Sequence, residues 1–346
     1  VQLGRLDILA GVRLEETRVS SNGVRQEITP EERARRTAWV GPVTPDELRR
    51  RTLSEWGNLR EDKGKYQNVL PSVHFKYNLT ENPISRLSYS TGLGRPNFSN
   101  LLLTTTVNNE NMTIRAANPD LRPQTAQNFD FTLEYYFEPA GYLSAGVFLK
   151  EIKDFIFASR GEPVGAGPDN GFDGEYESYI VTLDLNGGWA KVKGFELAYN
   201  QRFTFLPGIW SGLGFNANYT LIETEGQYSA TGGVVTNAEL ANFTPETFNT
   251  GLTYTHRKLD LGVKLIYRSK VLGTFNANPA ARLYRFPRTN VDVSLKYNWK
   301  PWLSFYIDGI NIFDGSLQNN YIFIPDRVRQ TQVYTPAIKA GFSGRF

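Results

Sequence analysis

The residues able to do covalent or metal chemistry are few. The chain has no cysteine and two histidines, His74 and His256. Disulfide, thiolate and cysteine-ligated metal chemistry are therefore excluded. A catalytic or ligating histidine needs a second ligand or a nucleophile at the right spacing. His74 falls in the middle of an alternating run and His256 in a short turn, and neither has such a partner. Both read as solvated side chains, so the chain reads as a non-enzyme with no catalytic residue, no metal site and no cofactor. Asp169-Asn170-Gly171-Phe172-Asp173-Gly174-Glu175 sets oxygen ligands at alternate positions, as a calcium loop does. The downstream bidentate glutamate is missing, so an acidic loop is the better reading. What remains is recognition. Arg95, Asn97, Arg115, Arg160, Tyr179 and Arg285 stand in polar stretches and are the candidates for meeting a small molecule. Arginine suits anionic groups such as an iron chelate, whereas aromatic rings suit a sugar, and the sequence leaves that choice open.

The elements that must carry these residues are strands. In Asn118–Lys150, Phe129, Phe131, Leu133, Tyr135 and Phe137 alternate with Asn128, Asp130, Thr132 and Glu134. After the turn Glu138-Pro139-Ala140-Gly141, Leu143, Ala145, Val147 and Leu149 alternate with Ser144, Gly146 and Lys150. Period two sends successive side chains to opposite faces. The same unit recurs at Val73–Leu79, at Val192–Phe205 with Leu213–Tyr219, at Thr247–Tyr267 and at Val291–Ile307. About twelve strands result.

Two features separate a membrane barrel from a half-buried soluble sheet. Connections alternate between turns of about two to four residues and polar stretches of about fifteen to fifty, as in a barrel with short periplasmic turns and long extracellular loops. Aromatic side chains gather beside the short turns: Tyr135, Tyr136, Phe137 and Tyr142; Phe203, Phe205 and Trp210; Tyr254; Tyr297, Trp299 and Trp302. Amphipathic rings are favoured at a membrane interface. No run of eighteen apolar residues is present, so helical spans are excluded. The fold class is thus all-β, a transmembrane antiparallel up-and-down β-barrel, with residues 1–346 a single partial barrel domain. Arg86, Glu134, Arg202, Lys264, Arg268 and Lys296 would line a wet interior. A net charge of +3 gives no case for nucleic acid.

Residues 20–67 read as one long extracellular loop. It holds two helix starts, Thr29-Pro30-Glu31-Glu32 and Thr44-Pro45-Asp46-Glu47, each with a capping threonine, a proline in the first turn and acid behind it. Its arginines (Arg33, Arg35, Arg36, Arg49, Arg50, Arg51) are diluted by Glu and Asp and read as a solvated surface. Val1 is not Met, and residues from Leu6 onward already alternate, so the chain is read as a piece of a longer one.

Several stretches resemble one family. Asn118-Pro119-Asp120-Leu121-Arg122-Pro123-Gln124-Thr125 looks like an Asn-Pro-x-Leu-x-Pro-Glu-Thr segment, with Gln124 for the usual Glu. Gly94-Arg95-Pro96-Asn97-Phe98-Ser99 is similar to that family's Arg-Pro loop, Lys153-Asp154-Phe155-Ile156 to a strand end, and Lys193-Gly194-Phe195-Glu196 to its Gly-x-Glu strand. Asp308-Gly309-Ile310-Asn311-Ile312-Phe313-Asp314 looks like an Asn-Leu-Phe-Asp strand end, and Gly341–Phe346 like a terminal strand with its closing aromatic. In order and spacing, from Leu3 to Phe346, these resemble the C-terminal half of the β-barrel of a TonB-dependent outer-membrane transporter (receptor). The resemblance implies the last part of a barrel of about 22 strands around a plug. It implies structural roles for Asn118, Pro119, Leu121, Pro123, Asn311 and Phe346. It also implies active uptake of a scarce solute (an iron-siderophore, a vitamin or an oligosaccharide) at the cell outer membrane of a Gram-negative bacterium. The implied partners are outer-membrane lipid, the remaining barrel and plug, and TonB acting through that plug. A passive porin or an autotransporter-type translocator is the alternative.

Overall fold

The computed structural model describes residues 1–346 except 25–27, 58, 102–104, 117, 119, 139, 168–169, 173, 231–232, 314–317, 323, 325 and 346. Twelve long strands carry the alternating stretches: β1 (Leu6–Val24), β2 (Leu59–Asn78), β3 (Pro83–Gly94), β4 (Gln124–Phe137), β5 (Gly141–Lys153), β6 (Trp189–Arg202), β7 (Leu213–Ala230), β8 (Glu246–His256), β9 (Leu259–Arg268), β10 (Arg288–Lys300), β11 (Leu303–Ile310) and β12 (Ala337–Gly344). Each pairs antiparallel with the next, and the short strands Gln2–Leu3 beside β1 and Gly233–Asn237 beside β7 bring the sheet to fourteen. Among the described residues β1 and β12 are not paired with each other, so the up-and-down sheet is open.

The register aligns like with like. Leu87, Phe131, Val147, Phe195 and Leu221 lie opposite one another across five strands, and Leu252, Val263 and Val293 across three more. All but Val293 stand exposed in this sheet. Aligned exposed apolar rows over this many strands would make an untenable surface in water but suit contact with lipid. The other face carries His74, Ser88 and Asp130 in one row and Lys264 with Asp292 in another. The apolar face is bounded at both ends. Tyr135, Trp299 and Trp302 flank it beside the short turns. Toward the long connections the same face turns charged, at Glu16 with Lys65, Glu151 with Lys191, and Lys193 with Glu223. The six steps from Leu143 to Leu149 cover about 20 Å at the strand rise of about 3.4 Å per residue, close to the apolar band of about 25 Å on membrane barrels.

Four of the turns are short. The fifth, between Arg202 and Leu213, is longer than the sequence suggests, because the 3-10 turn Gly208–Gly212 follows Pro207 and presents Trp210. The connection from β1 to β2 holds helices α1 (Pro30–Thr37) and α2 (Pro45–Trp56), with the Thr29 and Thr44 hydroxyls accepting from the Glu32 and Glu47 amides. No described helix is long and apolar enough to cross a membrane.

The other long connections depart from their polar appearance. Thr105–Asn108 and Thr113–Ala116, from one connection, join Ile156–Pro163 and Ile180–Asn186, from another, in a four-stranded sheet. Val271–Thr274, Leu283–Arg285, Gln318–Ile322 and Val328–Gln332 make a second. The first packs inward: Ile152, Phe157, Ala190, Val192, Tyr228 and Leu240 form a buried core. Ile152, Ala190 and Val192 stand on the same face as Asp130 and Glu196, so this core closes over the polar face at the long-connection end.

Candidate functional site

The segment before β4 is a structural joint. Asp184, buried at the end of a loop strand, accepts from Asn100 Nδ2 and from Arg115 Nη2 at 3.1 Å. Arg115 also donates to Asn100 Oδ1 at 3.2 Å. Asn118 Nδ2 donates to the Asp184 main-chain oxygen at 3.0 Å, and the Asn118 amide to that of Asn100 at 2.8 Å. Leu121 and Pro123 are buried just beyond. Gln124 Oε1 accepts from the Ile156 amide at 3.1 Å. That acceptor role suits an amide as well as a carboxylate, which explains why Gln serves where Glu is usual. Asn186 ties in the next segment, with Nδ2 donating to the main-chain oxygens of Arg122 and Asp154. Pro119 lies outside the described residues.

Arg95 reaches across to β1, donating to Glu15 Oε2 at 2.6 Å and Thr17 Oγ1 at 3.3 Å. Asn97 is exposed next to it. Between β2 and this joint lies a cavity of about 510 Å³ lined by Tyr66, Asn68, Pro96, Leu101, Leu121 and Arg122. Asn68 Nδ2 is buried there without a hydrogen-bond partner. The lining offers a phenol, an amide donor and a guanidinium that is paired to Asp154 at 2.6 Å. It suits a ligand of mixed polarity, held by hydrogen bonds and apolar contact.

The other candidates stand apart. Tyr179 donates its hydroxyl to Asn109 Oδ1 at 3.1 Å and packs on Tyr176, which packs on Phe172. Asn170 organises this loop through four main-chain hydrogen bonds, and its Oδ1 is committed to the Phe172 and Gly174 amides. Asp169 and Asp173 lie outside the described residues. Arg285 donates to Asn242 Oδ1 at 3.1 Å in the second loop sheet. Beside it, burial and the hydrogen bond to Glu239 push the Tyr284 hydroxyl above the usual phenol range. The Arg160 backbone pairs with Thr182, while its side chain lies outside the described residues. Thus Arg95 is anchored to β1 and Arg115 to the joint, and Tyr179 and Arg285 have other partners again. Sequence reasoning missed Tyr66, Asn68, Asn100, Asp184 and Asn186, whose spacing carries no local pattern.

On the polar face Arg86 Nε donates to Glu134 Oε1 at 2.8 Å, and the Tyr136 hydroxyl donates to Glu134 at 3.0 Å. The Ser88 hydroxyl, opposite His74, donates to Asp130 at 3.3 Å rather than to the imidazole. Among the described residues no group of three His, Asp or Glu is placed to hold a metal. Asn311 is buried at the end of β11; its amide nitrogen donates to Asp292, its side chain donates to the Tyr334 carbonyl, and its Oδ1 accepts from Asn290. Phe346 lies outside the described residues.

Residues 1–312 match the family model described as TonB dependent receptor-like, beta-barrel. None of the curated proteins matches the sequence. Among solved structures, the chain is similar to the ferric-catecholate import receptor Fiu of E. coli K12 in its closed form. The identity is 15% and the TM-score 0.62, covering 99% of this chain and 42% of that one. It is similar to the copper transporter OprC at 14% identity and TM-score 0.61, covering 99% and 45%. It is similar to the Serratia marcescens hemophore receptor HasR, solved as a double mutant with its hemophore HasA and heme, at 13% identity and TM-score 0.59, covering 99% and 49%. The chain spans less than half the length of these solved chains.

Proposed function

The chain belongs to the TonB dependent receptor-like β-barrel family, and from that premise we propose that it is one sector of a wider barrel, an active importer in the outer membrane of a Gram-negative bacterium. The sheet would sit with its short turns toward the periplasm and its long connections outside. One observation carries the reading: a sheet with a continuous apolar face, bounded by rings on one side and charges on the other, leaves β12 without an outer partner among the described residues and β1 with only the two-residue strand Gln2–Leu3. Unpaired backbone groups cost several kcal/mol each in lipid. Strands that complete the barrel satisfy them. A passive porin or autotransporter-type translocator built from this chain alone would need β1 and β12 to pair together, which they do not in this sheet.

The solute would be a scarce one, of the iron-chelate, vitamin or oligosaccharide class, captured among the outer loops without covalent chemistry. The cavity beside Tyr66, Asn68 and Arg122, with Arg95 and Asn97 near its rim, is the proposed contact. Arg115, Arg160, Tyr179 and Arg285 would serve as further contacts if neighbouring loops bring them together. Energy delivered by TonB to a plug inside the barrel would release the solute inward. The paired charges of Arg86 and Glu134 on the polar face suit contact with such a plug.

The test is the intact mass of the native protein taken from the source outer membrane. A mass about twice the 39.1 kDa of this chain or more is expected for a plugged barrel of about 22 strands. A mass equal to that of this chain overturns the proposal.

A further inference from the structure

The hairpin of α1 and α2 is built inside out. Its interior is ionic: Glu32, Glu47 and Glu55 are buried. Glu32 accepts from Arg35, Arg36 and Arg50, Glu47 from Arg35, Arg50 and Arg51, and Glu55 from Arg36. On α2, Glu47, Arg51 and Glu55 recur at i, i+4 and i+8, and so share the side turned to α1. Leu53 and Trp56 fall on the other side, with Leu48 at the flank next to Glu55. The apolar side chains point away from the interior: Val40 is 94% exposed, Leu48 59% and Leu53 61%, with Trp39, Val43 and Trp56 also exposed. A shallow groove of about 660 Å³, bordered by Ile28, Pro30, Arg33, Ala34, Thr37 and Ala38, runs along α1.

Resting on the barrel reading above, we propose that this apolar exterior is a docking surface for the outer loops of the strands that continue the sheet past β1. Three observations choose that occupant. The hairpin joins β1 to β2 and so stands at the free edge where further strands must pair. The solved barrels similar to this chain run more than twice the length it covers, which supplies those loops. The third is charge. The hairpin's carboxylates hold Arg35, Arg36, Arg50 and Arg51, and the exposed Arg33 and Arg49 are balanced in number by the exposed Glu31 and Asp46, so the surface carries no net cationic patch. An anionic lipid headgroup would meet no net charge, whereas apolar loop side chains would be matched.

The experiment uses the whole receptor, as purified in detergent and in intact cells. Leu53→Cys and Trp56→Cys are each treated with a polyethylene glycol maleimide, with Asn111→Cys, exposed on a distant loop, as reference. This chain has no cysteine of its own, and the unsubstituted receptor sets the background. Labelling at positions 53 and 56 is expected to be slower than at 111 by about tenfold or more in both settings, as for a locally protected site. Equal rates overturn the proposal. Protection in cells that vanishes in the purified receptor also overturns it, since a separate partner or lipid would then be the cover. A native mass equal to this chain defeats the barrel reading itself, whereas fast labelling in a larger receptor defeats only the docking surface.

Discussion

Asn311 offers the sharpest test of how the long-connection end is held. It is 4% exposed and its backbone has φ +53°, a left-handed conformation at the end of β11. Its side-chain nitrogen donates to the Tyr334 carbonyl at 2.7 Å, and its oxygen accepts from Asn290 Nδ2 at 3.1 Å. Asn311→Ala strands both partners. Each lost hydrogen bond of this kind costs about 1–1.5 kcal/mol, and alanine in the left-handed region costs about 1 kcal/mol more. The expected loss is therefore about 3–4 kcal/mol. Asn311→Gly loses the same amide but tolerates the backbone, so it should retain about 1 kcal/mol of that. The assay is urea unfolding of the purified receptor in detergent, followed by tryptophan fluorescence, with Trp299 and Trp302 as reporters. An Asn311→Ala receptor within about 0.5 kcal/mol of the parent, the range of a neutral surface change, would refute the reasoning. Equal losses for the two variants would remove the backbone share alone.

Two further outcomes follow from the faces and the hairpin. Leu197→Arg, on the apolar face, should destabilise the receptor by about 2–4 kcal/mol in a bilayer, while Ala198→Arg, one residue along and on the polar face, should cost less. The reverse order in a urea titration of the receptor reconstituted in lipid vesicles would overturn the assignment of faces. In the hairpin, the hydrogen bond from Arg35 holds the Glu47 carboxyl below its ordinary value despite desolvation. Burial pushes Glu32 up most strongly of any single effect, but Arg36 and Arg35 together outweigh it and leave Glu32 lowered as well. Folded values below unfolded ones mean that the stabilisation is present above about pH 4.3, the unfolded glutamate value, and is lost as pH falls through the folded values. The protection of amide hydrogens in residues 30–56, measured relative to the intrinsic exchange rate at each pH, should therefore fall on acidification from neutral pH to about pH 3, before the strands respond. A hairpin equally protected at both would contradict the ionic interior.

Much of the fold was legible because strand geometry is local. Side chains alternate across a strand whatever it pairs with, so Phe129 to Phe137 and Leu143 to Leu149 declared their faces, and short turns against long connections declared the up-and-down order. Threonine and proline at the starts of α1 and α2 declared their caps for the same reason. The joint was partly legible: Asn118 and Leu121, like Asn311 at the end of β11, could be singled out by resemblance, but not what they hold.

Tertiary structure alone decided the rest. Ile114 joins Val181 in a parallel pair, Arg115 finds Asp184, and Arg95 finds Glu15, all between segments far apart in the chain. Of the hairpin's arginines, diluted by acid in the sequence, Arg35, Arg36, Arg50 and Arg51 proved to pair with buried carboxylates, while Arg33 and Arg49 stand exposed. Phe148, Ile152 and Val192 break the polar pattern of their face because loops fold down upon them. A residue's own neighbours set its direction, but its partner is chosen by the closure of long loops, which leaves no period to read.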